Sequence, residues 1–177
     1  FCRDGAQSMV NFCQEHNLPH EVCGKVIVAT EEKELPLLEN LYQRGLQNGI
    51  QVARITAEEV KEIEPHVSCL AGVRVFSTGI ADYKQVCRKY AELIEQQGGD
   101  LRLNTKVLKI VNTPQSKVLE TTQGKFEAEV IINCAGLYSD RVAKMSDVDP
   151  EAKIVPFRGE YYELVPEKRY LVNTLIY

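Results

Sequence analysis

Four potential metal ligands fall within eleven residues, Cys13-x2-His16-x3-His20-x2-Cys23, and thiolate with imidazole is a donor set that suits tetrahedral zinc. Their placement argues against a shared ion. Cys13 belongs to an apolar helical stripe, His20 and Cys23 lie beyond a proline break, and zinc fingers separate their ligand pairs by a dozen residues or more. The expectation is no metal: a core thiol, two surface imidazoles and a strand thiol. Glu58, Glu59, Glu62 and Glu64 hold enough carboxyl groups for general acid and base work, but a charge run on a short capped helix reads as its solvated face. His66, after Pro65, suits a loop as well as a catalytic role.

Two stretches carry more specific chemistry. In Val130-Ile131-Ile132-Asn133-Cys134-Ala135-Gly136-Leu137-Tyr138-Ser139-Asp140, a continuously apolar strand covered on both faces would end in small residues. Small residues let a ligand approach the main chain, and a helix start at Ser139-Asp140 supplies N–H groups for a polar or anionic ligand. A tight strand-to-helix turn with no ligand would have the same pattern. In Val155-Pro156-Phe157-Arg158-Gly159-Glu160-Tyr161-Tyr162, an arginine among apolar residues and glycine, in a strand expected to be buried, requires an anion at its guanidinium fork. That anion is either a ligand carboxylate or a structural partner, Glu160 or Asp140. Tyr161 and Tyr162 would point to opposite faces of such a strand. No GxGxxG, GxxxxGK[ST] or GxSxG occurs, so the chain holds neither a complete dinucleotide fingerprint nor a phosphate loop.

The elements that would position these residues follow from periodicity. Ala6, Met9, Val10 and Cys13 recur at helical spacing until Asn17-Leu18-Pro19, which predicts a helix over about 3–17. Cys23 to Thr30 reads as a strand. Thr30 is the expected cap of a helix running to about Gln47, with Pro36 tolerated near its start and Asn48-Gly49 ending it. Thr56-Ala57-Glu58-Glu59 forms a capping box for a short helix that stops before Pro65. A strand through Val73 and Val75 ends at the Ser77-Thr78-Gly79 turn, and Asp82 caps a strong helix closed by Gly98-Gly99. The period then falls to two: 101–103, 105–111, 117–122 and 125–128 read as strands, with a hairpin turn at Gln123-Gly124. After the strand at 129–133 come a helix from about Ser139 to Met145, a junction at Asp149-Pro150, and a strand over 154–164. The fold class expected is α/β with α+β mixing, in two interwoven lobes.

Composition narrows the function classes. Among 177 residues, 21 Lys and Arg against 25 Asp and Glu give a net charge of −4, too mild and of the wrong sign for nucleic-acid binding. An apolar content of 44% supplies a core without disulfides. Six cysteines without a CxxC pair suggest reduced thiols and a reducing compartment, read as cytoplasmic. No stretch approaches the ~20 apolar residues of a spanning helix, and no basic-then-apolar signal opens the chain. Phe1 stands where an initiator methionine would, inside a helical pattern, so the expectation is a piece of a longer protein.

Taken together, Asn133-Cys134-Ala135-Gly136 before Ser139, Ser77-Thr78-Gly79-Ile80-Ala81-Asp82, and Asn104-Thr105-Lys106-Val107 before Ile110 resemble the pattern of the D-amino-acid-oxidase-like flavoproteins. That group includes glycine oxidase, sarcosine oxidase and glycerol-3-phosphate dehydrogenase. Within it, CGKVIVAT, LYQRGLQNGI, STGIADYKQV, CAGLYSDR and IVPFRGEYYEL are most similar to the L-2-hydroxyglutarate dehydrogenases and oxidases. The resemblance runs along essentially the whole chain and corresponds to the middle of such an enzyme. The family's GxGxxG unit, its histidine-bearing stretch and its C-terminal glycine-rich segment have no counterpart here.

The resemblance implies FAD as cofactor, with Val107 meeting the adenine through its backbone and Ala135, Gly136 and Ser139 beside the rest of the flavin nucleotide. It implies Arg158 as clamp for a substrate carboxylate, with Tyr161 and Tyr162 nearby; it names no catalytic base. The implied architecture is a Rossmann-like FAD lobe (1–20 and 79–148) interwoven with a β-sheet substrate lobe (21–78 and 149–177). The implied reaction takes a 2-hydroxy dicarboxylate to a 2-oxo acid, by hydride transfer from C2 and loss of the hydroxyl proton to a base. Quinone or oxygen would accept the electrons, and a quinone acceptor would bring peripheral contact with the inner face of a membrane. Two alternatives stand beside it: an amine or amino-acid oxidase of the same fold, and a catalytically silent binding module.

Overall fold

In the computed structural model, which describes Phe1–Tyr177, the capping box at Thr56 forms as the spacing predicts. The Thr56 hydroxyl accepts from Glu59 N at 3.2 Å, and the Glu59 carboxylate accepts from Thr56 N at 2.7 Å. Reciprocal satisfaction of two helix-end donors fixes where the helix begins.

The elements are α1 (Cys2–Glu15), β1 (His20–Glu21), β2 (Lys25–Ala29), α2 (Leu35–Gln47), β3 (Val52–Thr56), α3 (Ala57–Ile63), β4 (Ala71–Val75), β5 (Ile80–Ala81), α4 (Tyr83–Gln96), β6 (Val107–Asn112), β7 (Lys117–Thr121), β8 (Gly124–Ala128), α5 (Ser139–Met145) and β9 (Leu175–Ile176). Three-residue 3-10 turns precede α2 and α5, and a longer one spans Pro166–Leu171. The expected mixed helix-and-sheet class holds. Two units divide the chain: Phe1–Gly99 with Glu163–Tyr177, and Asp100–Tyr162.

In the first unit, β4 is the centre of an antiparallel trio, pairing β3 on one side and β2 on the other. β9 then adds to β2 in parallel, Lys25 opposite Leu175 and Val26 opposite Ile176. Ala29, Leu38 and Val73 are buried where α2 covers this sheet. Gly45 of α2 lies so close to β3 that a Cβ would stand 3.0 Å from Val52. A second cluster joins Cys13, Leu18 and Val86. Asp82 caps α4 by accepting from Lys84 N and Gln85 N at 3.0 and 3.1 Å, as its position predicts. Gly98 N and Gly99 N close α4 on the carbonyls of Glu95 and Ile94, with Gly98 at φ +83.

The second unit carries the antiparallel meander β6-β7-β8, with a hairpin turn at Thr122-Gln123, one residue earlier than the Gln123-Gly124 expected, and Gly124, at φ +124, opening β8. α5 packs on β6, and Ile110 is its buried residue.

Four expectations need correction. Thr30 does not cap through its own oxygen: its N–H and hydroxyl donate to the Glu34 carboxylate, while Glu31 and Glu34 form the box that opens the 3-10 turn before α2. Leu101–Leu103 is not a strand; the meander starts at Val107. The continuously apolar run at 129–133 is not a strand either, and Val130 and Ile132 are 73% and 82% exposed. A strand exists only through a hydrogen-bonded neighbour, and no strand of this chain pairs there. The same holds for 154–164, which forms no strand and is exposed from Val155 on.

Candidate flavin and substrate segments

All seven residues singled out in the sequence lie in the unit Asp100–Tyr162. Val107 opens β6 opposite Thr121. The ladder to β7 then slips, because Lys109 pairs with Glu120 and Leu108 is left without a partner. Such a bulge frees peptide groups beside Val107 from the ladder, which a backbone contact to a ligand needs.

Ala135, Gly136 and Ser139 are held by a residue that the sequence did not single out. Asn133 Oδ1 accepts from Ala135 N at 3.2 Å, and Asn133 Nδ2 donates to Ser139 O at 2.9 Å. One amide side chain thus ties both ends of the turn that leads into α5. An asparagine two residues before a small pair was the available signal, since Asx side chains bond the main chain two residues on. Gly136 sits at φ +56, the left-handed region that favours glycine. A Cβ built on it meets nothing within 4 Å, so the main chain here faces open space.

That geometry fits FAD in the restricted sense that a ribityl or diphosphate chain can lie along Ala135-Gly136 without a side chain in the way. The peptide groups around Leu108 are free to meet a ring edge. α5 spans only seven residues, so the fit rests on the open turn and not on a helix dipole.

Arg158 is not in a buried strand. Its side chain is 87% exposed, and its nearest anion is Glu160 Oε1 at 3.8 Å from Nε, beyond hydrogen-bond length. Asp140, the other structural partner considered, is engaged elsewhere: it accepts from Arg141 N at 2.8 Å and Ile154 N at 3.3 Å. The requirement for a buried counter-ion therefore lapses. What stands is an exposed guanidinium in a loose ion pair with Glu160, one of the two structural partners considered. Tyr161 and Tyr162 are likewise exposed.

The cysteine and histidine set does not converge. Cys13 is buried against Leu18 and Val86, the His16 ring packs edge-on to Phe12, and His20 Nδ1 lies 2.8 Å from Leu18 O. No group of three or more His, Cys, Asp or Glu side chains is placed to hold a metal ion. The acidic run divides. Glu58 and Glu59 are solvated first-turn residues of α3, whereas Glu64 is fully buried. It stands four residues after buried Val60, on the same helical face, and that spacing was the missed signal.

The chain belongs to the FAD dependent oxidoreductase (DAO) family, whose model matches residues 1–177. It is 46% identical over 178 residues to the L-2-hydroxyglutarate dehydrogenase of Indibacter alkaliphilus, a match that covers 99% of this chain and 45% of the relative. The mitochondrial L-2-hydroxyglutarate dehydrogenase of Bos taurus is 39% identical over 189 residues, 99% of this chain and 41% of the relative. The chain therefore spans less than half the length of these curated relatives. Among solved structures, the crystal structure of L-proline dehydrogenase from P. horikoshii superposes with a TM-score of 0.80 at 16% identity, covering 98% of this chain and 48% of that one. At that identity the likeness is one of fold. No helix is long and apolar enough to cross a membrane.

Proposed function

We propose that these residues form part of an FAD-dependent enzyme that oxidises L-2-hydroxyglutarate to 2-oxoglutarate. The observation that carries this reading is similarity along the full length of the chain to proteins of that name, at 46% and 39% identity. When bound, FAD would supply the redox chemistry, as acceptor for the hydride from C2. The protein's share is binding and orientation. Val107 and the turn Ala135, Gly136 and Ser139 border the nucleotide, supported by the bulge at Leu108 and the open face of Gly136. Arg158 grips a substrate carboxylate with two parallel N–H bonds, supported by its exposure and by an ion pair to Glu160 too long to be a hydrogen bond, and Tyr161 and Tyr162 contribute hydroxyl contacts. No residue is assigned as the base that takes the hydroxyl proton.

In this reading, 1–20 and 79–148 belong to the FAD lobe and 21–78 and 149–177 to the substrate lobe. Electrons leave to a quinone or to oxygen, the first with peripheral membrane contact at the inner face. Six free cysteines suit a reducing compartment, the cytoplasm or, as in the relative named mitochondrial, an organelle interior.

The test is product analysis on the complete flavoprotein. L-2-hydroxyglutarate should bleach the flavin anaerobically and yield 2-oxoglutarate. If it leaves the flavin oxidised while glycine, sarcosine or a D-amino acid bleaches it and releases ammonia or methylamine, the enzyme is an amine oxidase of the same fold. If none of these reacts, the chain is a binding module.

A further inference from the structure

Glu64 is the one charged residue buried to zero exposure, and no step of the proposed reaction uses it. Its carboxylate is satisfied by main-chain donors from the far end of the sequence: Asn173 N lies 3.0 Å from each oxygen, and Thr174 N bonds Oε1. Two successive N–H groups turned toward one anion make a nest. Asn173 answers with its side chain, donating from Nδ2 to Ile63 O at 2.9 Å, so the end of α3 and the segment before β9 grip each other from both sides. Beyond the grip, β9 adds only two residues to β2. Its ladder is extended by Tyr177 N to Val26 O at 3.0 Å and Val28 N to Tyr177 O at 2.8 Å.

We propose that Glu64 is a latch: its carboxylate holds the strap Val172–Tyr177 against the sheet, and the strap opens as a unit when the carboxylate is lost, without unfolding the rest. The physical reason lies in what flanks it. Residues 155–170 are exposed throughout, and next to the strap Tyr170 meets His66 edge-on at 5.7 Å between ring centroids, an exposed contact weaker than the bonds to a buried carboxylate. Two-residue strands do not persist on ladder bonds alone. A buried carboxylate bonded by several N–H groups is therefore the strongest contact the strap has. A carboxylate suits the site better than an amide. Asn173 N donates toward both oxygens, and a glutamine would turn an NH2 group toward that donor. In sequence, Glu163–Leu171, which includes the 3-10 turn Pro166–Leu171, connects the strap to the stretch that carries Arg158, Tyr161 and Tyr162, so release frees the C-terminal end of that connection.

Hydrogen exchange of the intact protein, resolved by residue, tests the latch with Glu64→Gln, Glu64→Ala and Asn173→Ala. The Val28 and Tyr177 amides should exchange on the order of 10- to 100-fold faster in Glu64→Ala, as expected for losing hydrogen bonds to a buried charge. Glu64→Gln should fall between Glu64→Ala and wild type, because one oxygen still accepts. Amides of the β3-β4 ladder and of the β6-β7 ladder should stay within about twofold of wild type. Unchanged exchange at Val28 and Tyr177 would overturn the latch, and so would equal acceleration at every ladder, which would make Glu64 an ordinary core group. If Glu64→Ala does not fold, Glu64→Gln and Asn173→Ala are read in its place. Failure of both to fold also counts against a separable strap.

Discussion

Replacing Gly79 by alanine should weaken the short β1-β5 ladder, and the geometry sets how much. A Cβ at position 79 would stand 2.5 Å from Glu21 O, 3.2 Å from Val22 Cα and 3.3 Å from Glu21 C. All three are main-chain atoms, so no side chain can swing aside, and the strands must part by several tenths of an ångström. Overpacking of this kind costs about 1–3 kcal/mol. The ladder opposing it has two register pairs, His20 with Ala81 and Glu21 with Ile80, worth about 0.5–1.5 kcal/mol per hydrogen bond. The two magnitudes match, so the ladder gives way. The cost settles near ~1–3 kcal/mol, or roughly 4–12 °C in melting temperature for a unit of this size. Gly5→Ala is the control of opposite sign. Nothing lies within 4 Å of a Cβ there, and it sits inside α1, where alanine gains about 0.5–1 kcal/mol over glycine. Thermal unfolding followed by circular dichroism reads both. Exchange of the Asp82 amide, bonded to Pro19 O at 3.0 Å across this junction, should accelerate only in Gly79→Ala. A Gly79→Ala melting point within about 2 °C of wild type, with the Asp82 amide still protected, would refute the reasoning.

Arg158→Ala in the complete flavoprotein should lower kcat/KM for the hydroxy acid by roughly 30- to 1000-fold, and Arg158→Lys should restore only part. Melting temperature and flavin content should stay level, since the side chain is 87% exposed; loss of flavin with normal turnover would instead mark a structural residue. The 177 residues alone, which include no GxGxxG, should emerge from desalting with FAD free of flavin absorbance, and stoichiometric retention would contradict this. Arg54 donates to Glu39 from Nε and Nη2 at 2.8 and 2.5 Å, and with Gln43 it holds the Glu39 carboxyl well below its ordinary 4.5, at about 2. A lowered carboxyl stabilises above the unfolded value and loses that contribution as pH falls toward the folded one. The wild-type melting temperature should therefore drop more steeply between pH 4.5 and 2 than that of Glu39→Gln, and parallel slopes would exclude the linkage.

Local chemistry was legible where local chemistry decides. Thr56 with Glu59, Asp82, Gly98-Gly99 and Gln123-Gly124 announce helix ends and a hairpin turn, because caps and turns are satisfied by residues within four positions. What the sequence could not give was pairing. Val130–Ile132 and 154–164 have the composition of strands, yet no neighbour in this chain completes them, and composition does not reveal whether a partner is present. β1 and β5 were missed for the converse reason: two residues each are too few to show a period. At the candidate site, Ala135 and Gly136 were visible as small residues at a turn; Asn133 carried its Asx signal two residues ahead of them, but its second bond, to Ser139 O six residues on, is not a local pattern. Arg158 was read through an assumed burial that the chain does not provide. Glu64 was grouped with its acidic neighbours because charge is more conspicuous than the four-residue spacing from Val60.

The grip of Asn173 on Glu64 spans 109 residues of chain, which has a consequence for synthesis. At roughly 5–20 residues per second, the ribosome needs about 5–20 s to deliver Asn173 after Glu64 has left the tunnel. During that interval the α3 carboxylate lacks the Asn173 and Thr174 N–H donors that hold it in the finished fold. The β9 edge of the four-stranded sheet is thus synthesised only after the meander of the second unit, so β2 waits for its parallel neighbour while everything between them is made.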